Sequence, residues 1–161
     1  MTSEPWTRCA LVAAIVGLVC FGAAPAAAQA PAAAVVVVQA QAGLFGPPDA
    51  AEAFTPSAVL PLRDGQEFGW RATLKTSKKI VRVLEELTLP SEPRTWGDPE
   101  PGLKRKTSAD GRTATTEFWL EPVNGVIANR WSVTAGDPKG IWTLRVRIED
   151  QPERVFRLTA R

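Results

Sequence analysis

Residues 67–74 read EFGWRATL, and apolar and polar side chains alternate along them. The apolar positions are Phe68, Trp70, Ala72 and Leu74. The polar positions between them are Glu67, Arg71 and Thr73. Because successive side chains of a β-strand point to opposite faces, this stretch predicts a strand with one face in a core.

The same alternation recurs along the second half of the chain. It is present in TATTEFWL (113–120), VIANRWSV (126–133), IWTLRVRI (141–148) and VFRL (155–158). Asn124-Gly125 separates the first two of these segments, and this dipeptide between alternating runs predicts a β-hairpin. Strands at this spacing, with no helical pattern between them, predict a sandwich or barrel of about seven or eight strands.

Two further segments predict strands with a less regular pattern. VVVVQAQAGLFG at 35–46 opens with four valines, which favours a strand covered on both faces. IVRVLEELTL at 80–89 fits either a helix or a strand by periodicity, but its β-branched start and Pro90 favour a strand. Since a strand places Glu85 among the apolar positions, we predict a β-bulge near Glu85-Glu86.

Three motifs together resemble a known family. They are AGLFG (42–46), DGQEFGWRATL (64–74) and the closing GIWTLRVRIED (140–150) with VFRL (155–158). These are similar to small exported bacterial proteins built around an immunoglobulin-like β-sandwich. The resemblance implies that fold and an exported location, and it brings no catalytic or binding residues with it.

The N-terminus has the order of a secretory signal peptide. Arg8 precedes an apolar run, and small residues up to Ala28 offer a cleavage site, so residues 1–28 are interpreted as the signal. A Pro/Ala linker at 29–34 and a single domain at 35–161 follow. The expected location is periplasmic or secreted, with no membrane span after cleavage. An uncleaved anchor is the alternative, because the apolar run approaches the roughly 20 residues that span a bilayer.

The predicted mature chain lacks the residue types of most active sites. The whole sequence has no His and no Tyr, and its two cysteines, Cys9 and Cys20, lie in the predicted signal. The commonest general base, the thiol nucleophile and most transition-metal ligands are therefore missing. We expect a protein that is not an enzyme and that uses no disulfide, cofactor or metal.

Charge and loop composition point away from two other classes of ligand. A formal net charge of +2 does not indicate nucleic acid as a partner. The one basic cluster, Lys104-Arg105-Lys106, is interpreted as a solvated loop. Aspartates next to Gly or Pro are interpreted as turn residues and not as calcium ligands. These are Asp64, Asp98, Asp110 and Asp137.

The tryptophans provide the candidate binding residues. Trp70, Trp131 and Trp142 lie on the apolar faces of their predicted strands, which indicates a core position. In TTEFWL, Phe118 belongs to the apolar face and Trp119 to the opposite one. Two explanations remain open for an outward Trp119: arginine stems cover it, or it binds a partner.

Trp96 lies in the proline-rich stretch PSEPRTWGDPEPG at 90–102, and it either carries function or folds back over one end of the sandwich. We predict an interaction or structural module of the bacterial cell envelope whose partner is an envelope protein. The alternative is a carbohydrate-binding module in which both rings stack on sugars. The candidate partner-binding residues are Trp119, Trp96, Glu117, Glu121 and Arg130.

Overall fold

The structure is a computed structural model that describes residues 34–46, 53–99 and 103–161. The predicted signal peptide and residues 29–33 of the predicted linker lie outside these ranges. Within them, no helix has the length and hydropathy needed to cross a membrane. The described residues form ten strands: β1 (Val36–Phe45), β2 (Phe54–Pro56), β3 (Val59–Leu60), β4 (Glu67–Lys75), β5 (Val81–Thr88), β6 (Lys104–Thr107), β7 (Thr113–Leu120), β8 (Val126–Ser132), β9 (Gly140–Ile148) and β10 (Arg154–Ala160).

The strands form two sheets. The four-stranded sheet has the order β2-β1-β4-β8, and the six-stranded sheet has the order β3-β10-β9-β5-β7-β6. Every pairing is antiparallel except the short one between β3 and β10. The predicted all-β, immunoglobulin-like sandwich is confirmed.

The core lies between the inward faces of the two sheets. The alternation that predicts β4 is confirmed, because its four apolar side chains are buried. Trp70 of β4 and Trp142 of β9 are among the largest fully buried side chains. Phe68 and Trp142 meet edge to face across the core, with ring centroids 5.3 Å apart.

The predicted hairpin between β7 and β8 is wrong. Asn124 and Gly125 do form a tight turn, with φ angles of 51° and 75°. A single bridge between Val123 and Val126 closes this turn, and beyond it the two strands diverge into different sheets. Both edges of β7 are occupied, by β5 and by β6, so β8 pairs with β4 instead.

The predicted bulge near Glu85-Glu86 is also wrong. β5 pairs without interruption with β7 on one side and β9 on the other. Glu85 therefore keeps its inward position, with a side chain that is 1% exposed. The register shift that the structure contains lies in β1, between Val37 and Gln39.

Two other expectations need correction. The valine run of β1 is covered on one face only, because Val36 and Val38 are exposed while Val35 and Val37 are buried. The basic cluster at 104–106 is part of β6 and not a loop. As the terminal strand of the six-stranded sheet, β6 holds its side chains in fixed alternating directions.

Candidate functional site

Trp119 of β7 points away from the core, and its side chain is 61% exposed. Phe118, its neighbour, is buried as predicted. The indole borders a surface hollow of about 430 Å³ on the outer face of the six-stranded sheet. We call this hollow the Trp119 surface; its lining residues are Leu84, Lys104, Lys106, Thr115, Glu117 and Trp119.

Strand register explains why these side chains share one surface. Lys104 pairs with Glu117, and Lys106 pairs with Thr115, so two lysines of β6 flank the outward side chains of β7. On the other side of β7, Arg82 of β5 lies opposite Trp119. The Arg82 Nε lies 2.9 Å from Oε1 of Glu117 and forms an ion pair with it.

The cation–π contacts of the described residues involve aromatic rings other than Trp119. The two arginines that stack on aromatic rings are Arg105, over Trp131 at 4.7 Å, and Arg130, over Phe45 at 4.4 Å. Within the described ranges, no cation–π contact reaches Trp119. A cation–π contact therefore does not cover the outward indole, although Arg82 lies opposite Trp119 in the strand register.

Trp96 lies elsewhere and packs inward. It contacts Trp131 edge to face, with ring centroids 6.0 Å apart, and its Nε1–H donates to the carbonyl of Gly111 at 2.8 Å. Trp96 therefore folds back over one end of the sandwich, which is one of the two predicted alternatives. Trp119 lies about 20 Å along β7 from Thr113, the end of the strand nearest Gly111.

The remaining candidates divide between the two sheets. Glu117 lies in the Trp119 surface, and exposed Glu121 follows the end of β7. Arg130 belongs to β8 of the other sheet, where it forms an ion pair with Glu67 at 3.2 Å. The structure thus brings together Trp119 and Glu117 and places Trp96 and Arg130 away from them.

The interior holds a hydrogen-bonded polar cluster around Glu85, which the sequence analysis did not predict. Three N–H groups donate to the carboxylate of Glu85: Nε1 of Trp70, Nε1 of Trp131 at 2.5 Å, and Nδ2 of Asn129 at 3.0 Å. Arg105 of β6 faces the same carboxylate electrostatically. We call these five residues the Glu85 cluster.

Burial raises the pKa of the Glu85 carboxyl above its ordinary value of 4.5, because the ionised form loses its contact with water. The three donors and Arg105 oppose this shift. Burial also lowers the pKa of the Arg105 guanidinium, while Glu85 and Asp98 counteract that effect. The cluster is a desolvated charge held by hydrogen bonds, as buried carboxylates require.

Arg105 connects this interior cluster to a surface loop. Its Nη1 donates to the carbonyls of Trp96 and, at 3.1 Å, of Gly97. The Arg105 Nε and the Thr116 hydroxyl beside it are buried without a hydrogen-bond partner among the described residues. Arg105 thereby fixes both β6 and the segment that carries Trp96.

Two of the loop aspartates, Asp110 and Asp137, act as turn residues, whereas Asp64 accepts from the distant Ala135 N–H at 3.1 Å. Asp110 accepts hydrogen bonds from the Ser108 hydroxyl and the Arg112 N–H, and these hold its pKa below the ordinary value. Asp137 accepts from the Thr134 N–H at 2.8 Å. Within the described ranges, no cluster of acidic or other ligand side chains could hold a metal ion.

A family model described as PM0630 beta sandwich domain matches residues 41–160. This chain belongs to that family. The fold is similar to the crystal structure of an immunoglobulin-like protein from Pseudomonas aeruginosa, with a TM-score of 0.52 and 19% identity. That match covers 83% of this chain and 100% of the other. No curated protein matches the chain.

Two signals for the Glu85 cluster of this PM0630 beta sandwich domain are present in the sequence. The alternation of β5 places Glu85 inward, and the alternation of β8 places Asn129 inward. A polar side chain on each of two inward faces predicts a buried hydrogen bond between them, and a bulge is then unnecessary. Arg105 has no such signal, because β6 is short and follows a proline-rich stretch.

Proposed function

We propose that this PM0630 beta sandwich domain is an exported, non-catalytic binding module that engages another protein of the bacterial cell envelope through the Trp119 surface. The observation that carries the proposal is the exposed Trp119 ring, which borders a charged hollow on a rigid sheet. Export rests on the order of residues in the N-terminal segment.

The contrast among the tryptophans supports this assignment. Trp70 and Trp142 are buried, while Trp96 and Trp131 pack against each other. Each of these four indoles donates a hydrogen bond to a protein oxygen. Trp119 has neither burial nor a described hydrogen bond, and exposed Trp is enriched at the centres of protein interfaces.

The hydrogen bonds to the buried Glu85 carboxylate favour a non-catalytic role. Both oxygens of Glu85 accept hydrogen bonds from indole or amide donors, and its side chain has almost no contact with solvent. A carboxylate that works as a general acid or base needs access to a substrate proton. Glu85 is better suited to holding the two sheets together.

The carbohydrate-binding alternative depends on a shared platform for Trp96 and Trp119. The Trp96 indole is packed over one end of the sandwich, and Trp119 lies toward the other end of β7. A glycan site would therefore rest on Trp119 alone. The protein-binding proposal needs only the one exposed ring and its charged neighbours.

Photo-crosslinking and affinity capture from an envelope extract test the proposed function. We expect Trp119→Ala to remove the partner that the wild-type mature chain captures, because an interface Trp contributes about 2 kcal/mol or more. Val155→Ala is the matched control, since Val155 is exposed on the same sheet and lies outside the hollow. Undiminished capture by the Trp119→Ala variant would contradict the proposal.

A further inference from the structure

We infer that the partner presents an extended acidic segment, which pairs with the open edge of β6 and places its acidic side chains beside Lys104 and Lys106. This inference rests on the proposed function and specifies the chemistry of the partner. It follows from the position of β6 in the sheet, from the charges around it and from the way Arg105 holds it.

β6 is the terminal strand of the six-stranded sheet. Among the described strands it pairs with β7 only, through Lys104–Thr107, so its other edge faces away from the sheet. The terminal strand of a sheet presents backbone donors and acceptors to an added strand. A partner segment in extended conformation can therefore continue the sheet at this position.

The side chains of β6 match the repeat of such a segment. Lys104 and Lys106 point to the outer face, and Arg105 between them points inward. Alternate side chains of a strand are about 7 Å apart, both in β6 and in the strand that joins it. A segment with acidic residues at every second position thus offers one carboxylate to each lysine, which stabilises cross-strand pairs.

The outer face of this sheet carries an excess of positive charge. Its register places six cationic and two anionic side chains there, and Glu153 from the turn before β10 adds a third acid through its ion pair with Arg145 at 2.9 Å. The side chains placed by the register are Arg82, Lys104, Lys106, Arg145, Arg147 and Arg157, with Glu86 and Glu117.

Both acids of the register already have partners. Glu117 pairs with Arg82, and Glu86 pairs with Arg145 at 3.6 Å. No carboxylate of the described residues lies within 4.0 Å of the Lys104 or Lys106 ammonium groups. The whole chain has a net charge of only +2, so this face concentrates charge that attracts an anionic partner.

Trp119 adds an apolar contact to the same path. Among the described residues, β6 pairs with β7 only as far as Glu117, and Trp119 lies two positions further along β7. A segment that runs along β6 reaches the ring with its next outward side chain. Polysaccharides and lipid headgroups can meet the lysines, but they have no backbone N–H groups in the repeat that pairs with a strand edge.

The interior anchor prepares β6 for this role. Arg105 stacks on Trp131 and donates to the carbonyls of Trp96 and Gly97. Because these contacts hold the short strand before the partner arrives, less conformational freedom is lost on binding. Arg105 is a positioning residue in this scheme, and it does not touch the partner.

Calorimetric titration of the mature chain at low ionic strength tests the inference. The probe is a short synthetic peptide that alternates Glu with Val and ends in Phe. We expect binding that weakens about tenfold in the double variant Lys104→Gln/Lys106→Gln. The matched control, Arg147→Gln/Arg157→Gln, removes the same charge from the same face away from the edge, and we expect it to bind almost as the wild type does.

Four further probes distinguish the possible ligands. The Gln/Val counterpart of the peptide and a version with methylated backbone nitrogens should both bind more weakly than the acidic peptide, because each lacks one of the two kinds of contact. Binding of polygalacturonate and of anionic phosphatidylglycerol vesicles should be weakened equally by the two double variants. Equal weakening of peptide binding by both double variants, or full binding of the methylated peptide, would overturn the inference.

Failure of the acidic-segment inference can be distinguished from failure of the proposed function. If no acidic peptide binds while Trp119→Ala still abolishes capture of an envelope protein, the acidic segment is wrong and the binding module stands. If Trp119→Ala changes neither measurement, the proposed function fails as well.

Discussion

On each face of the six-stranded sheet, charged side chains lie next to tryptophan, which belongs to β7 on the outer face and to β4 and β8 of the opposite sheet on the inner face. The two faces differ in how these groups are satisfied. On the inner face, the Glu85 carboxylate accepts hydrogen bonds from two indoles and an amide, out of contact with water. On the outer face, the Trp119 indole is exposed, and two lysines beside it have no described carboxylate partner.

The same physical criterion separates the structural role of the inner region from the proposed binding role of the outer one. A buried charge is tolerated only where donors replace its lost water, so the Glu85 cluster has already formed its contacts within the protein. An exposed aromatic ring beside unpaired cations keeps its interactions for another molecule. Substitutions in the two regions should therefore affect different measurements.

The largest expected effect is on stability, from Glu85→Leu. This change leaves the N–H groups of Trp70, Trp131 and Asn129 without their acceptor, and we expect the free energy of unfolding to fall by about 3 kcal/mol. Urea denaturation of the mature chain measures it. The neighbouring outward substitution Glu86→Leu, which removes only an exposed ion pair, should change stability by less than about 1 kcal/mol.

An unchanged stability of the Glu85→Leu variant would mean that desolvation of the charge offsets everything its hydrogen bonds contribute. Buried ion pairs in other proteins can behave in that way when apolar side chains replace them. The Glu85 cluster on the inner face would then have no stabilising role.

A smaller effect is expected from pH. Burial raises the pKa of Glu85 above 4.5, so the folded chain binds this proton more tightly than the unfolded chain does. The contribution to stability is therefore greatest below the ordinary pKa and decreases as the pH rises through the folded pKa. We expect the loss of stability caused by Glu85→Gln to be larger at low pH than at neutral pH.

Parallel urea titrations of both chains at several pH values check this sign. Taking the difference between the two chains cancels the opposite contributions of Asp110 and Glu149, whose pKa values hydrogen bonds lower. A loss that grows as the pH rises would show that the donors and Arg105 outweigh burial.

The smallest effect on stability belongs to Trp119→Phe, which should change the free energy of unfolding by no more than about 0.5 kcal/mol. Fluorescence is the sensitive readout here. Quenching by acrylamide should lose its most accessible component in this variant and keep it in Trp96→Phe, since the Trp96 ring packs against Trp131. Equal quenching of Trp96 and Trp119 would contradict the expectation that only Trp119 is available to a partner.

The alternation of side chains predicts much of this fold. It identifies the long strands β4, β7 and β9, and it assigns Phe118 inward and Trp119 outward. It cannot assign strands to sheets, because a two-residue turn such as Asn124-Gly125 suits a hairpin as well as a connection between sheets. Both edges of β7 are taken by β5 and β6, and the alternation within β7 and β8 carries no information about those pairings.

The candidate site is predictable to a similar degree. Trp119 and Glu117 follow from one strand, whereas Lys104 and Lys106 reach the same surface only through the pairing of β6 with β7. Local composition suggests a loop for those lysines, and tertiary pairing overrides it. The sequence places Glu85 inward, but a carboxylate is stable there only because of donors from two other strands, Trp70 of β4 and Asn129 and Trp131 of β8.

The connection from β7 to β8 also constrains the order in which the strands of the two sheets can pair during folding. A chain that emerges with its N-terminus first can pair β1 with β4 early, but β8 arrives only after three strands of the opposite sheet, and β9 and β10 follow it. Neither sheet can close before the other has begun to form. Such a topology delays burial of the core until nearly all of the strands are available, so we expect the domain to fold in one late step.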